Sequence, residues 1–129
     1  MAHEIAVIGM GRFGSSIAGE LYQIGHDVLA LDQDEQVIQS LMGHVTYAVT
    51  GDATSAELLE ELGINHFDTA VVAIGTDVQS SILTTVLLKQ QFQIPKVVAR
   101  ANNDLHGRTL TAVGADRVIY PEQETGVRT

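Results

Sequence analysis

The stretch AVIGMGRFGSSIAGEL carries Gly9, Gly11 and Gly14, a spacing that lets a backbone wrap around the phosphates of a nucleotide. Gly9 allows the tight turn, Gly11 lets the backbone approach phosphate, and Gly14 lets helix and strand pack closely. A helix opening here presents unpaired N–H groups and the positive end of its dipole to an anion. Between the second and third glycines stand Arg12 and Phe13, and the arginine is the member a dehydrogenase does not obviously need. Two residues into a helix that holds a diphosphate, its guanidinium reaches past the β-phosphate. It meets a γ-phosphate of the same site, or crosses a dimer interface to the neighbour's nucleotide. Either contact favours triphosphate over diphosphate by one charge-assisted hydrogen bond, about 1.5–3 kcal/mol or roughly tenfold to a hundredfold. The alternative is an exposed arginine packed on the turn.

Other candidates lie at the ends of apolar runs. Asp32 closes the second run, 18 residues beyond Gly14, where an acid accepts the hydroxyls of an adenosine ribose. Gln33 and Asp34 follow it in the same site, with no arginine to receive a 2′-phosphate. That disfavours NADP and leaves NAD, ATP, ADP or AMP. In TGDAT, Asp52 either hydrogen-bonds an adenine amino group or starts the next helix, with Ala53 beside it. VVAIGTD supplies Ile74, Gly75 and Thr76 as a ledge beside ribose or adenine. VVARANN supplies Arg100, a second basic group aimed at the crevice or else one half of a surface ion pair. Glu122, in YPE, is a further acid at a strand end, or simply an acid in a helix's first turn.

Positioning these residues requires alternating strands and helices. Short Val-, Ile- and Ala-rich runs without polar alternation predict strands at Ile5–Gly9, Asp27–Asp32, Val45–Val49, Thr69–Ile74, Lys96–Arg100 and Arg117–Tyr120, buried on both faces as parallel strands are. Helical spacing predicts helices near 12–24, 34–42, 54–62, 77–90 and 104–113, the third capped by Thr54 with Glu57 three residues on and stopped at Gly63. Six strands with five crossover helices make a doubly wound parallel α/β sheet with helices on both faces. The 129 residues suit one domain, and the 45% apolar fraction suits a single core.

Composition narrows the chemistry. There is no cysteine, and the five histidines, among them His106, include no i, i+4 pair for zinc. A net charge of −9 argues against nucleic acid and against docking on anionic lipid. No signal peptide or bilayer-length apolar run is visible, so we expect a soluble cytoplasmic domain that meets a membrane only through a protein partner. YPEQETGVRT reads as the first turn of another helix, so we expect a longer chain beyond it; the alternative is a frayed tail.

Together AVIGMGRFGSSIAGEL, VLALD, TGDAT, VVAIGTDVQSSILTTVLLK, VVARA and VGADRVIYPE resemble the N-terminal nucleotide-binding (KTN) domain of the regulator-of-potassium-conductance family, nearest the cytosolic subunits of bacterial Ktr and Trk potassium-uptake systems. The resemblance covers essentially the whole chain, residues 1–129, and GRFG with GADRVIYPE is its most specific part. It implies a Rossmann-like fold, a second ligand-binding domain on the full-length chain, and regulation rather than catalysis. It implies homodimers assembling into a ring, commonly an octamer, beneath a membrane potassium translocator at the inner face of the cell membrane. ATP favours the active state and ADP the inactive one, and some members bind NAD(H). By matching motif, Gly9, Gly11, Arg12, Phe13 and Gly14 form the phosphate turn, and Asp32 holds the ribose. Asp52, Ala53, Ile74 and Gly75 line the adenosine, while Arg100 and His106 sit near the phosphates. Glu122 lies near the γ-phosphate and shares a cation with it. His106 also reads as a solvated histidine in a helix's first turn.

The helix in DVQSSILTTVLLKQ carries Val78, Ile82, Leu83, Val86, Leu87 and Leu88 around more than one stripe, which suits a homodimer contact or a wider core contact. Two other functional readings remain open. One is the cofactor half of an NAD-dependent dehydrogenase, although no Tyr-x-x-x-Lys pair is present. The other is the same regulatory domain from a potassium channel or a potassium–proton antiporter.

Overall fold

The computed structural model describes residues 3–121. Strands β1 (Glu4–Ile8), β2 (Asp27–Asp32), β3 (Tyr47–Thr50), β4 (Thr69–Val72), β5 (Lys96–Arg100) and β6 (Arg117–Ile119) alternate with α1 (Arg12–Gln23), α2 (Glu35–Leu41), α3 (Ala56–Glu61), α4 (Val78–Val86) and α5 (Asp104–Ala112). All strand pairs are parallel, in the order β3-β2-β1-β4-β5-β6. This is the Rossmann-like, doubly wound sheet. Glu4 pairs with Asp27 and Ile8 with Leu31, so β1 and β2 end level and deliver Gly9 beside Asp32.

The period-2 alternation of a strand sends neighbouring residues to opposite faces. Ile5 and Val7, with Val28 and Ala30, pack on Ala18 of α1 and Ile38 of α2. Ala6 and Ile8, with Leu29 and Leu31, pack on Leu59 of α3, Leu88 and Leu110 of α5. Apolar residues on both faces explain the unbroken apolar reading of these runs.

Several boundaries move from the sequence expectation. The third strand begins at Tyr47, not Val45; Val45 is 6% exposed but fills the core from the preceding turn, bridged to Met42. The fourth strand ends at Val72 and leaves Ile74 in the following loop. Thr54 does not cap α3: Ser55 does, its Oγ accepting from Leu58 N at 3.2 Å. Thr54 is instead held in a turn by Asp52, whose Oδ1 accepts from Thr54 N (2.9 Å) and Thr54 Oγ1 (2.7 Å). Gly63 closes the segment in the left-handed region, at φ 69°. A 3-10 turn at Ile64–His66 then leads into β4, and α4 runs on as a π-helical turn at Leu87–Gln91. The apolar residues of that helix divide: Leu88 is in the core, Ile82, Val86 and Leu87 are half-buried, and Val78 and Leu83 are exposed. Among the described residues no helix is long and apolar enough to cross a membrane.

Candidate functional site

Strand order reverses between β1 and β4, and a crevice of about 1080 Å³ opens at the carboxyl ends of the strands there. That is room for a dinucleotide-sized ligand by the scale of small-molecule sites. Gly9, Gly11, Arg12 and Phe13 line it from the first turn, and Asp32, Gln33 and Asp34 from the end of β2. Asp52, Ala53, Ile74, Gly75, Thr76 and Arg100 complete the set the sequence pointed to. Gly14 and His106 do not line it, and Glu122 lies outside the described residues.

The three glycines have three different reasons. At Gly9 the backbone is at φ +95°, and a Cβ would stand 2.9 Å from Ile74 N. At Gly14 a Cβ would overlap the Gly9 carbonyl oxygen, so α1 rests directly on the turn. Gly11 is different: its φ is −70°, open to any residue, and a Cβ there meets nothing within 4 Å. Neither a left-handed φ nor packing within the protein requires glycine there; it is the N-cap of α1, where glycine ranks above alanine but below Ser, Asp or Asn.

Asp32 fastens two turns together. Its Oδ2 accepts from Met10 N at 2.6 Å and its Oδ1 from Asp34 N at 2.8 Å. An ionised carboxylate has about four acceptor positions, so capacity is left for ribose hydroxyls. Asp34 caps α2 through Gln36 N and Val37 N. Asp52 is held below the usual carboxylate range first by the backbone bond from Thr54, then by the Thr54 hydroxyl, with Gln33 adding a side-chain bond. Its own turn therefore already uses Asp52 as a structural acceptor. Asp77 caps α4 through Ser80 N at 3.0 Å, and that bond is the largest cause of its lowered pKa.

The cationic groups sit opposite. Arg12 is exposed at the first position of α1, and among the described residues α1 has no acid in its first turn. Arg100, at the end of β5, places its guanidinium 5.6 Å from the Phe13 ring centroid. A Cβ on Gly75 would stand 2.9 Å from Arg100 Nη1, so the missing side chain makes room for the arginine. Phe13 and Gly75 thus seat Arg100 at the crevice wall as a cation–π pair and a cleared pocket.

His106 is not the solvated histidine of the second reading. It is 4% exposed, with Nε2 2.7 Å from Ser81 Oγ and Nδ1 accepting from Asn102 N at 3.1 Å. Asn103 caps α5 by accepting from His106 N, and the ring is held from α4 by Ser81, 25 residues away. Sequence reasoning missed Met10, whose amide meets Asp32, and Asn102, which donates to Gly75 O at 2.9 Å. An asparagine pair directly after a strand end was the available signal for the latter. It also missed Thr84, a fully buried hydroxyl at the crevice wall. No group of three His, Cys, Asp or Glu able to hold a metal occurs among the described residues.

Fold and crevice together define a Rossmann-like nucleotide-binding domain. The chain belongs to the TrkA-N domain family, whose model matches residues 5–121. It is 45% identical over 125 residues to Ktr system potassium uptake protein A of Bacillus subtilis (strain 168), covering 97% of this chain and 56% of the relative. It is 41% identical over 128 residues to protein C of the same system and organism, covering 99% and 58%. The chain thus spans about half the length of the curated relatives it matches. Its fold is also that of the GsuK structures. One, bound to ADP, superposes with a TM-score of 0.79 at 28% identity, over 94% of this chain and 31% of that one. Another, the GsuK channel bound to NAD, gives 0.77 at 29% identity, over 92% and 21%.

Proposed function

We propose that this domain is the nucleotide-reading part of a regulatory, non-catalytic subunit that gates a membrane potassium-uptake system. The carrying observation is Gly11, the N-cap of α1, a place where Ser, Asp or Asn would cap better and where neither φ nor packing gives a reason to lack a side chain. A phosphate approaching the start of α1 supplies that reason, because it needs the space a Cβ would fill. The adenosine half lies along Asp32, Asp52 and Ala53, and the phosphates run past Gly11 toward Arg12 and Arg100. ATP and ADP are the ligands this arrangement is read to distinguish, through Arg12. NAD(H) is the second reading, and a crevice of about 1080 Å³ has the volume for it.

Similarity to Ktr proteins A and C supports the potassium-uptake setting. In that setting the whole protein forms homodimers that build a ring, an octamer in the full-length form. The ring sits in the cytoplasm, peripheral to the inner face of the membrane and beneath the translocator. Exposed Val78 and Leu83 on α4 give the homodimer an apolar contact.

The test is calorimetric titration of the chain with ATP, ADP and NADH side by side. A clear difference between ATP and ADP supports a phosphate-state switch. Tight NADH with indifferent ATP replaces it by a redox sensor, and no binding of any of the three overturns the nucleotide reading.

A further inference from the structure

Behind the crevice wall runs a chain of hydrogen bonds with a defined direction, buried at its Ser81–His106 link and part-buried elsewhere. Ser81 Oγ donates to Val78 O at 2.8 Å, so toward His106 it acts as acceptor, and the His106 Nε2 at 2.7 Å carries the proton. His106 Nδ1 is then the bare nitrogen that accepts from Asn102 N at 3.1 Å. Asn102 in turn donates through Nδ2 to Gly75 O at 2.9 Å. Burial first, and then the positive charge of Arg100, lowers the pKa of His106, which keeps the ring in this neutral form. Asn102 leaves its Oδ1 buried without a partner among the described residues. A buried orphan acceptor costs about 1–3 kcal/mol.

What the chain of bonds controls is one peptide group. There are no cis peptide bonds among the described residues, and a trans peptide carries its N–H opposite its C=O. With the Gly75 carbonyl drawn back onto Asn102, the Thr76 N–H is turned the other way. No protein group among the described residues accepts from it, and both Gly75 and Thr76 line the crevice. Gly75 lacks a Cβ, so little else in the residue itself resists rotation of this peptide.

We propose that His106 is a positioning residue which, through Asn102, fixes the Gly75–Thr76 peptide with its carbonyl withdrawn and its N–H presented to the phosphate of a bound nucleotide. The inference rests on the nucleotide reading above and adds a backbone donor and its support to that site. Rotation of the peptide would replace a donor by a carbonyl oxygen facing an anion. The effect of losing the relay is therefore that of a lost charge-assisted hydrogen bond, about tenfold to a hundredfold in affinity.

Two substitutions separate the two ends of the imidazole. In His106→Asn the amide oxygen falls near the Nδ1 position and can still accept from Asn102 N, while the Ser81 bond is lost. In His106→Gln the amide nitrogen falls near Nε2 and can still donate to Ser81, while the Asn102 bond is lost. Each leaves a small void and removes one bond, so thermal melts of the two are expected to fall by similar amounts. With ADP as the calorimetric probe, His106→Gln is expected to bind at least about tenfold more weakly than the unsubstituted chain, and His106→Asn to recover most of that loss. Asn102→Leu is expected to bind ADP as weakly as His106→Gln with a smaller loss in melting temperature. Equal affinities in both His106 variants, or unchanged affinity in Asn102→Leu, would overturn the proposal while leaving the nucleotide reading standing. Failure of the unsubstituted chain to bind ATP, ADP or NADH removes both.

Discussion

Substituting alanine in turn at Gly11 and Gly14 separates ligand contact from folding inside one turn. At Gly11 the added methyl meets nothing within 4 Å and φ is −70°, so the folded chain accepts it without movement. Reduced freedom of the unfolded chain stabilises by about 0.4–1 kcal/mol, and alanine's poorer N-capping costs about as much, so the two nearly cancel. The melting temperature should therefore stay within a few degrees of its original value. Bound phosphate, however, must then retreat from the amides at the start of α1. Losing one charge-assisted bond there is about 1.5–3 kcal/mol, or roughly tenfold to a hundredfold in the ADP dissociation constant. At Gly14 the methyl would overlap the Gly9 carbonyl oxygen, so α1 must lift from the turn. Overpacking of that kind costs about 1–3 kcal/mol or more and lowers the melting temperature by several degrees. The assay is a thermal melt by circular dichroism paired with ADP calorimetry for both variants. An ADP affinity of Gly11→Ala equal to the original would refute the reasoning, since the space at Gly11 would then have no ligand in it.

Arg12→Ala is expected to weaken ATP more than ADP or NADH in parallel titrations; equal losses for all three would make Arg12 a builder of the turn alone. Asp116 accepts from Lys89 Nζ at 2.7 Å and from Val97 N at 2.8 Å. Burial raises its pKa, but the Lys89 and Val97 bonds outweigh this and hold it below the ordinary value of 3.8. A depressed carboxylate pKa contributes stability above the unfolded value and loses it as pH falls through the folded one. Because the group is partly exposed, Asp116→Asn should cost about 1 kcal/mol or less at pH 7, with the gap to the original chain closing below about pH 4 in urea melts. Leu83→Asp, on the 45% exposed face of α4, should lower the light-scattering mass toward a monomer while leaving the melt of the monomer unchanged. A mass unaffected by it would move the homodimer contact elsewhere.

The sequence made the doubly wound sheet legible because its strands are buried on both faces, and a residue pattern alone reports that. It made the glycine turn legible because Gly9 and Gly14 are fixed by contacts within a few residues of the chain or with the adjoining β4 loop. The ends of elements were harder. Val45 is as apolar as a strand residue, yet the chain is still turning there, and only its packing tells the two apart. Thr54 and Ser55 are both good caps, and the choice between them was made by Asp52, which takes Thr54 for its own turn. His106 was placed near phosphate or in solvent because its burial depends on Ser81, 25 residues away on another helix. Contacts of that separation leave no local mark in the sequence.

The bonds at Asp32 have a consequence for the kinetics of recognition. Its carboxylate closes the Met10 and Asp34 amides at 2.6 and 2.8 Å with bonds made wholly within the chain. Bonds within the chain thus suffice to tie together the two turns that would embrace a ribose. Both amides should exchange slowly with deuterated solvent in the ligand-free protein, and nucleotide should add little to their protection. Arrival of the ligand then needs no loop to settle first, so the encounter rate is set by diffusion and orientation. On the proposed reading, discrimination between nucleotides would then lie in how long each one stays, and stopped-flow release rates would read it.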